Sequence, residues 1–273
     1  MKKTLMHMMI VAGMLASAGA QALAITVDGN LGDWGVDSGI NSAGNNADWI
    51  PNAGVHFTVE DQHGNQRLDA GWGGQLYDAE ALYVFKNAST LYIALATGHK
   101  PGTAQGGGSY GAGDFAIDFG KNGSYEVGIN VKPGWDGFGV SGGVYKTSQS
   151  DWSYGIWNDN AIPDFIKTEH PASMKGGVKL GDVSALAIDS TGQKQIGQWA
   201  DDTHYFYEIA LSTQLLTDAG WQGESFNVHW TMNCANDTII TDPPAANVPE
   251  PGTLALLPLG LLGLAALRRR KTA

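Results

Sequence analysis

A single cysteine, Cys234, occurs in 273 residues, so no disulfide closes within the chain. An exported domain without such a staple must rest on its core, and this chain is long enough to bury one. A lone cysteine is more often buried and inert than catalytic, since a thiol nucleophile needs a histidine or another cation beside it. Positive charge is scarce as well. Six of the 16 Lys and Arg residues lie at the ends, at Lys2, Lys3, Arg268, Arg269, Arg270 and Lys271, while all 27 Asp and Glu residues lie within 25–250. That stretch therefore holds ten basic against 27 acidic side chains, a net charge of −17. Such a surface repels nucleic acid and anionic lipid, and it suits neutral glycans and divalent cations. Catalytic signatures are missing too. There is no HExxH, no histidine pair at zinc spacing, no EF-hand loop and no Gly-x-Ser-x-Gly elbow. Gly106–Gly111 satisfies GxGxxG, but no βαβ unit surrounds it, so it reads as a loop.

Long apolar runs are confined to the two ends. Residues 1–24 begin with Lys2 and Lys3, continue in an apolar stretch and finish in Ala22-Leu23-Ala24. This is the pattern of a secretory signal peptide, with cleavage expected between Ala24 and Ile25 and Ala18-Gly19-Ala20 as the weaker site. The other end carries Pro249, Glu250 and Pro251, then an uncharged run Leu254–Leu267, then Arg268, Arg269, Arg270 and Lys271. The prolines hold the triplet extended. The basic cluster resists translocation and fixes the cytoplasmic side. The run spans roughly 21 Å as a helix, against about 30 Å of hydrocarbon, which is short for a lasting anchor. The order of these parts resembles the PEP-CTERM sorting signal of Gram-negative bacteria. The resemblance implies an exosortase-type sorting protease as partner, cleavage near the triplet and delivery to the cell surface or the exopolysaccharide matrix. An ordinary C-terminal membrane anchor is the alternative.

Between the ends the chain reads as one all-β domain. The expected organisation is a signal peptide at 1–24, a β-sandwich ectodomain at 25–243, a linker with the sorting triplet at 244–251, and a short transmembrane segment with a basic tail at 252–273. β-rich runs bounded by turn residues recur at 55–59, 81–85, 91–96, 115–119, 125–131, 185–188, 205–211 and 226–232. The segment 205–211 is apolar on both parities, which places it centrally. One short helix is expected at 213–219, stopped by Gly220. Many strands without interleaved helices give an antiparallel β-sandwich of jelly-roll or immunoglobulin-like type.

Ile25–Trp34, ITVDGNLGDW, is similar to the opening of family 9 carbohydrate-binding modules and related DOMON-like sandwiches. LYIAL at 91–95 and DFAID at 114–118 look like their core strands. Three further segments, HFTVEDQ at 56–62, GGQLYDAEAL at 73–82 and VHWTMNCAND at 228–237, resemble a recurrent ectodomain type found ahead of PEP-CTERM signals. That type often has Gly after the cysteine, where this chain has Ala235.

Two constellations offer chemistry. Nine tryptophans are many for this length. Indole suits a half-wet surface, and its flat face can stack on a sugar ring. The segment Asp151–Asn160 is the best such stretch, with Trp152, Tyr154 and Trp157 beside Asp and Asn; Trp72 and Trp135 are further candidates for glycan binding. The alternative is that tryptophans plug the core, which is the reading for Trp34. The second constellation is acidic. Asp78 and Glu80 lie two apart and Asp114 and Asp118 four apart, each pair on one side of an extended chain. Oxygen ligands suit calcium, which related carbohydrate-binding sandwiches often hold. Solvated acids are the alternative, and a paired-carboxylate hydrolase has no support in the spacing. The expected function is non-enzymatic: an exported surface or biofilm-matrix protein that binds exopolysaccharide. A self-associating structural protein and a secreted glycan-active enzyme are the other readings.

Overall fold

Strict alternation of apolar and small or polar side chains makes the segments at 79–97 a hairpin with two unlike faces. In the computed structural model, which describes residues 23–36, 47–61, 74–103, 110–131, 138–155, 170–194, 196, 197, 199 and 201–243, that hairpin is the centre of the first of two packed sheets. Strands β1 (His56–Val59), β2 (Ala79–Lys86), β3 (Thr90–Thr97), β10 (Ala185–Ile188) and β11 (Tyr205–Ser212) form this sheet in the order β1-β2-β3-β11-β10. The second sheet is built from β4 (Phe115–Phe119), β5 (Tyr125–Ile129), β6 (Gly143–Lys146), β9 (Val178–Asp182), β12 (Phe226–Thr231) and β13 (Thr238–Thr241), in the order β13-β12-β4-β5-β6-β9. Every pairing is antiparallel. The short pair β7 (Trp152–Ser153) and β8 (Ser173–Met174) stands apart from both sheets.

Period two decides what goes inside. Val84 pairs with Ile93, and Ile93 with Ile209, so the inner face of the first sheet is a continuous aliphatic row. Ile117 pairs with Val127 and Val228 on the second. These rows meet in one core together with Phe115, Trp230 and Tyr207. Each such side chain contributes on the order of 1.5–3 kcal/mol by leaving water. β11 is buried along six consecutive residues, Phe206–Leu211, as its apolar content on both parities predicts.

The outer faces are covered too. Leu31, Trp34, Val36 and Trp49 lie over Tyr83, Ala94 and Phe206 on the outside of the first sheet. Trp152 and Met174, from the β7–β8 pair, lie over Ala116 and Tyr125 on the outside of the second. Gly128 makes that second cover possible, because a Cβ there would sit 2.1 Å from the Met174 sulfur. The helix α1 (Thr213–Ala219) starts where the Ser212 hydroxyl accepts the Gln214 amide. It stops at Gly220, whose amide bonds to the Leu216 and Thr217 carbonyls. Among the described residues no helix is long and apolar enough to cross a membrane.

Candidate functional site

β1 ends beside the start of β2 at one edge of the sandwich, and a register shift between Ala79 and Ala81 puts Glu80 in a bulge. The amides of Glu60 and Asp61 both donate to the Glu80 carbonyl, at 2.8 and 3.3 Å. The bulge turns the Glu80 side chain inward, where it is fully buried. Its Oε1 accepts the Gln75 amide at 2.5 Å and lies 3.3 Å from His204 Nδ1. The Trp49 indole N–H donates to Asp61 Oδ2 at 3.0 Å, and the Trp49 ring stands edge-on to His204 at 5.1 Å. Gly197 closes over this pair so tightly that a Cβ would meet Trp49 Nε1 at 2.2 Å. Asp78, one residue before β2, faces Asp237 from the turn before β13. Asp237 is fixed by the Ala79 amide at 2.5 Å and the Thr238 amide at 3.0 Å. As two carboxylates these groups only accept, so the contact becomes a hydrogen bond when one of them carries a proton.

Asp61, Asp78, Glu80 and Asp237 thus form a buried acidic cluster with His204. Burial, with Glu80, Asp237 and Asp61 adding repulsion, pushes Asp78 up to about 11. Burial also raises Glu80, to about 7, against the opposing pull of His204 and Gln75. The cluster draws on all three of the segments at 56–62, 73–82 and 228–237. Asp61, Asp237 and His204 escape sequence reading because they are far apart in the chain. Asp61, Asp78 and Asp237 each stand in a different one of those three segments, and no sequence signal points to His204.

The expected calcium set of Asp78, Glu80, Asp114 and Asp118 does not assemble. Asp114 and Asp118 belong to the second sheet. Asp114 Oδ2 accepts the Met174 amide at 2.9 Å. Asp118 accepts the amides of Asn122 at 3.0 Å and Gly123 at 2.7 Å, so it braces the turn between β4 and β5. Among the described residues no three His, Cys, Asp or Glu side chains converge to hold a metal ion.

The aromatic expectation is corrected at one position. Trp152 has no exposed surface; it packs on the second sheet and points its N–H at the Tyr125 carbonyl, 3.4 Å away, so it offers no face to a sugar. Tyr154 is half-buried against the same cluster. Trp34 is fully buried, as a structural tryptophan should be. Trp72, Trp135 and Trp157 lie outside the described residues, as do Pro249, Glu250, Pro251, Arg268, Arg269, Arg270 and Lys271. At the expected cleavage site Ala24 is exposed and Ile25 half-buried. Cys234 is sealed in the core, and burial pushes its thiol up to about 11.

Comparison with known proteins finds the PEP-CTERM protein-sorting motif at residues 247–271. No curated protein and no solved structure matches the chain, so the likeness of Ile25–Trp34 to family 9 carbohydrate-binding modules is not confirmed by any relative. The matched motif covers the triplet, the apolar run and the basic cluster together. The chain is an exported surface protein with a PEP-CTERM sorting domain, of the kind processed by an exosortase.

Proposed function

We propose that this is a non-enzymatic protein of the cell surface or extracellular matrix, whose sandwich contacts exopolysaccharide through aromatic side chains set among polar ones. The observation that supports it is the burial of the carboxylates the sequence offers for glycosidic chemistry. Asp78, Glu80 and Asp114 have 0 % of their surface exposed and Asp118 has 2 %. A glycosidase must bring two carboxyl groups to opposite sides of the scissile bond, and groups sealed beneath the surface do not reach it. With Trp152 internal, the candidate sugar platforms are Tyr154, Trp157, Trp72 and Trp135. Tyr154 is the one among the described residues, and it stands three residues before Trp157.

Among the described residues β9 is the last strand of the second sheet, and its build argues against a protein that merely self-associates by strand addition. β9 is short, carries a bulge opposite Val144 and Tyr145, and holds a Lys179–Asp182 ion pair at 2.7 Å. Bulges and charged side chains are how sheet edges are kept from pairing with other chains. The reading is tested by retention of the purified protein on the host's exopolysaccharide and on a glycan array, with and without calcium. Retention that Tyr154→Ala and Trp157→Ala weaken, with the fold intact, supports it. No retention on any glycan sinks it.

A further inference from the structure

The first residues of the ectodomain are tied to side chains far along the chain. Leu23 and Ile25 pack against the apolar cluster on the outside of the first sheet. The Thr26 amide donates to Asp33 Oδ2 at 2.5 Å. The amides of Asp28, Gly29 and Asn30 donate to one carboxylate oxygen of Glu208, at 3.0, 2.5 and 3.1 Å, and the Trp34 indole N–H takes the other at 2.7 Å. The backbone on both sides of the Ala24–Ile25 bond is therefore committed to the fold within a few residues. A signal peptidase must take that bond, with its neighbours extended, into its own cleft, and residues held this way are not available to it.

We propose that this strap is a processing checkpoint: the Ala24–Ile25 bond is cut only before residues 25–34 close onto Glu208, and closure ends the chain's life as a substrate. The order follows from the topology. Glu208 sits on β11, some 180 residues after the strap it receives, so the strap has no partner until most of the domain has crossed the membrane. Cleavage has that interval. A chain that folds uncut keeps its N-terminal membrane segment while the sorting domain holds the other end.

The test uses the full-length precursor and purified signal peptidase. Native precursor is expected to be cut at least about tenfold more slowly than precursor in urea, because cleavage follows the population of the open form. A Gly/Ser spacer inserted between Ile25 and Thr26, which leaves the recognition residues in place and frees them from the strap, is expected to restore rapid cutting of the native protein. Trp34→Phe, which removes one of the bonds to Glu208 and keeps a ring, is expected to raise the native rate. Equal rates for native and unfolded precursor would overturn the proposal. So would a spacer with no effect, or cleavage of the unfolded chain after Ala20 rather than Ala24.

Discussion

Glu208 binds Trp34 across 174 residues of chain, its Oε1 receiving the indole N–H at 2.7 Å. The register explains why a glutamate stands in the middle of an otherwise apolar strand. Glu208 pairs with Ala94, and Ala94 with Tyr83, so it lies on the outer row of the first sheet where the N-terminal strap crosses. Burial raises its pKa, and the donors from Trp34, Gly29 and Asp28 oppose the rise. Glu208→Ala leaves a buried indole N–H and the amides of Asp28 and Gly29 without their acceptor, while the Asn30 amide keeps Asp28 Oδ1 at 2.9 Å. At about 1–3 kcal/mol for an orphaned buried donor, the expected loss is about 3 kcal/mol or more. Trp34→Phe, which removes one donor and keeps most of the packing, is expected to cost about 1–2 kcal/mol. Urea unfolding of the two variants decides it, and a loss under about 1 kcal/mol for Glu208→Ala would reduce the latch to a passive contact.

The strands that follow the period-two rule are legible in the sequence. The runs expected at 115–119 and 185–188 coincide with β4 and β10, and the helix at 213–219 with α1. β6, β8, β9 and β13 are not legible. They are two to five residues long, and Gly143 and Gly181 interrupt the apolar pattern of β6 and β9. Such strands exist because a neighbour supplies the ladder, a tertiary effect that no window of sequence contains. The acidic cluster is half legible. Asp78 and Glu80 are visible as a pair, but their real partners arrive from the segment that follows β1, from the turn before β13 and from His204. Trp152 misleads for a related reason: polar neighbours in sequence suggest a wet surface, while the Asp151 side chain spends itself capping a 3₁₀ turn through Ser148 and leaves the indole to pack inward.

Asp118 separates a turn brace from a calcium ligand. Its two oxygens take the amides of Asn122 and Gly123. Asp118→Ala is expected to lower stability by about 2 kcal/mol through the two unsatisfied amides, and by the same amount in calcium and in chelator. Thermal denaturation under both conditions measures it. A loss that appears only with calcium present would return Asp118 to the cation reading.

Ala235 occupies a left-handed conformation, φ +57°, the backbone region that favours glycine. The turn is built here without the residue that suits that backbone shape best. A left-handed non-glycine residue costs about 1–2 kcal/mol, and the Ala235 methyl, buried beside Gly155, returns part of that through packing. Ala235→Gly is therefore expected to stabilise the protein, by up to about 1 kcal/mol after the added freedom of the unfolded chain is counted. Denaturant midpoints of the two proteins compare them directly, and a destabilised variant would show that the methyl contributes more than the strain costs.

The buried acids set the pH dependence. Unfolded Asp78 and Glu80 release their protons near pH 4, the ordinary carboxylate range. In the folded protein burial and mutual repulsion hold the protons on, Glu80 to about pH 7 and Asp78 to about pH 11. Between those limits the native state binds more protons than the unfolded state, so stability falls as pH rises, at most about 1.4 kcal/mol per pH unit for each proton retained. The contribution is complete at acid pH and is lost upward through the folded values, the opposite of a salt-bridged carboxylate. Asp78→Asn replaces the protonated acid with an amide that can still donate to Asp237, and it has no proton to lose. The variant is expected to keep only the Glu80 part of the decline, which ends near pH 7, to unfold at nearly the same urea concentration from pH 7 to pH 9, and to exceed the wild type at pH 9. Urea midpoints measured across that range would refute the account if wild type and variant declined in parallel.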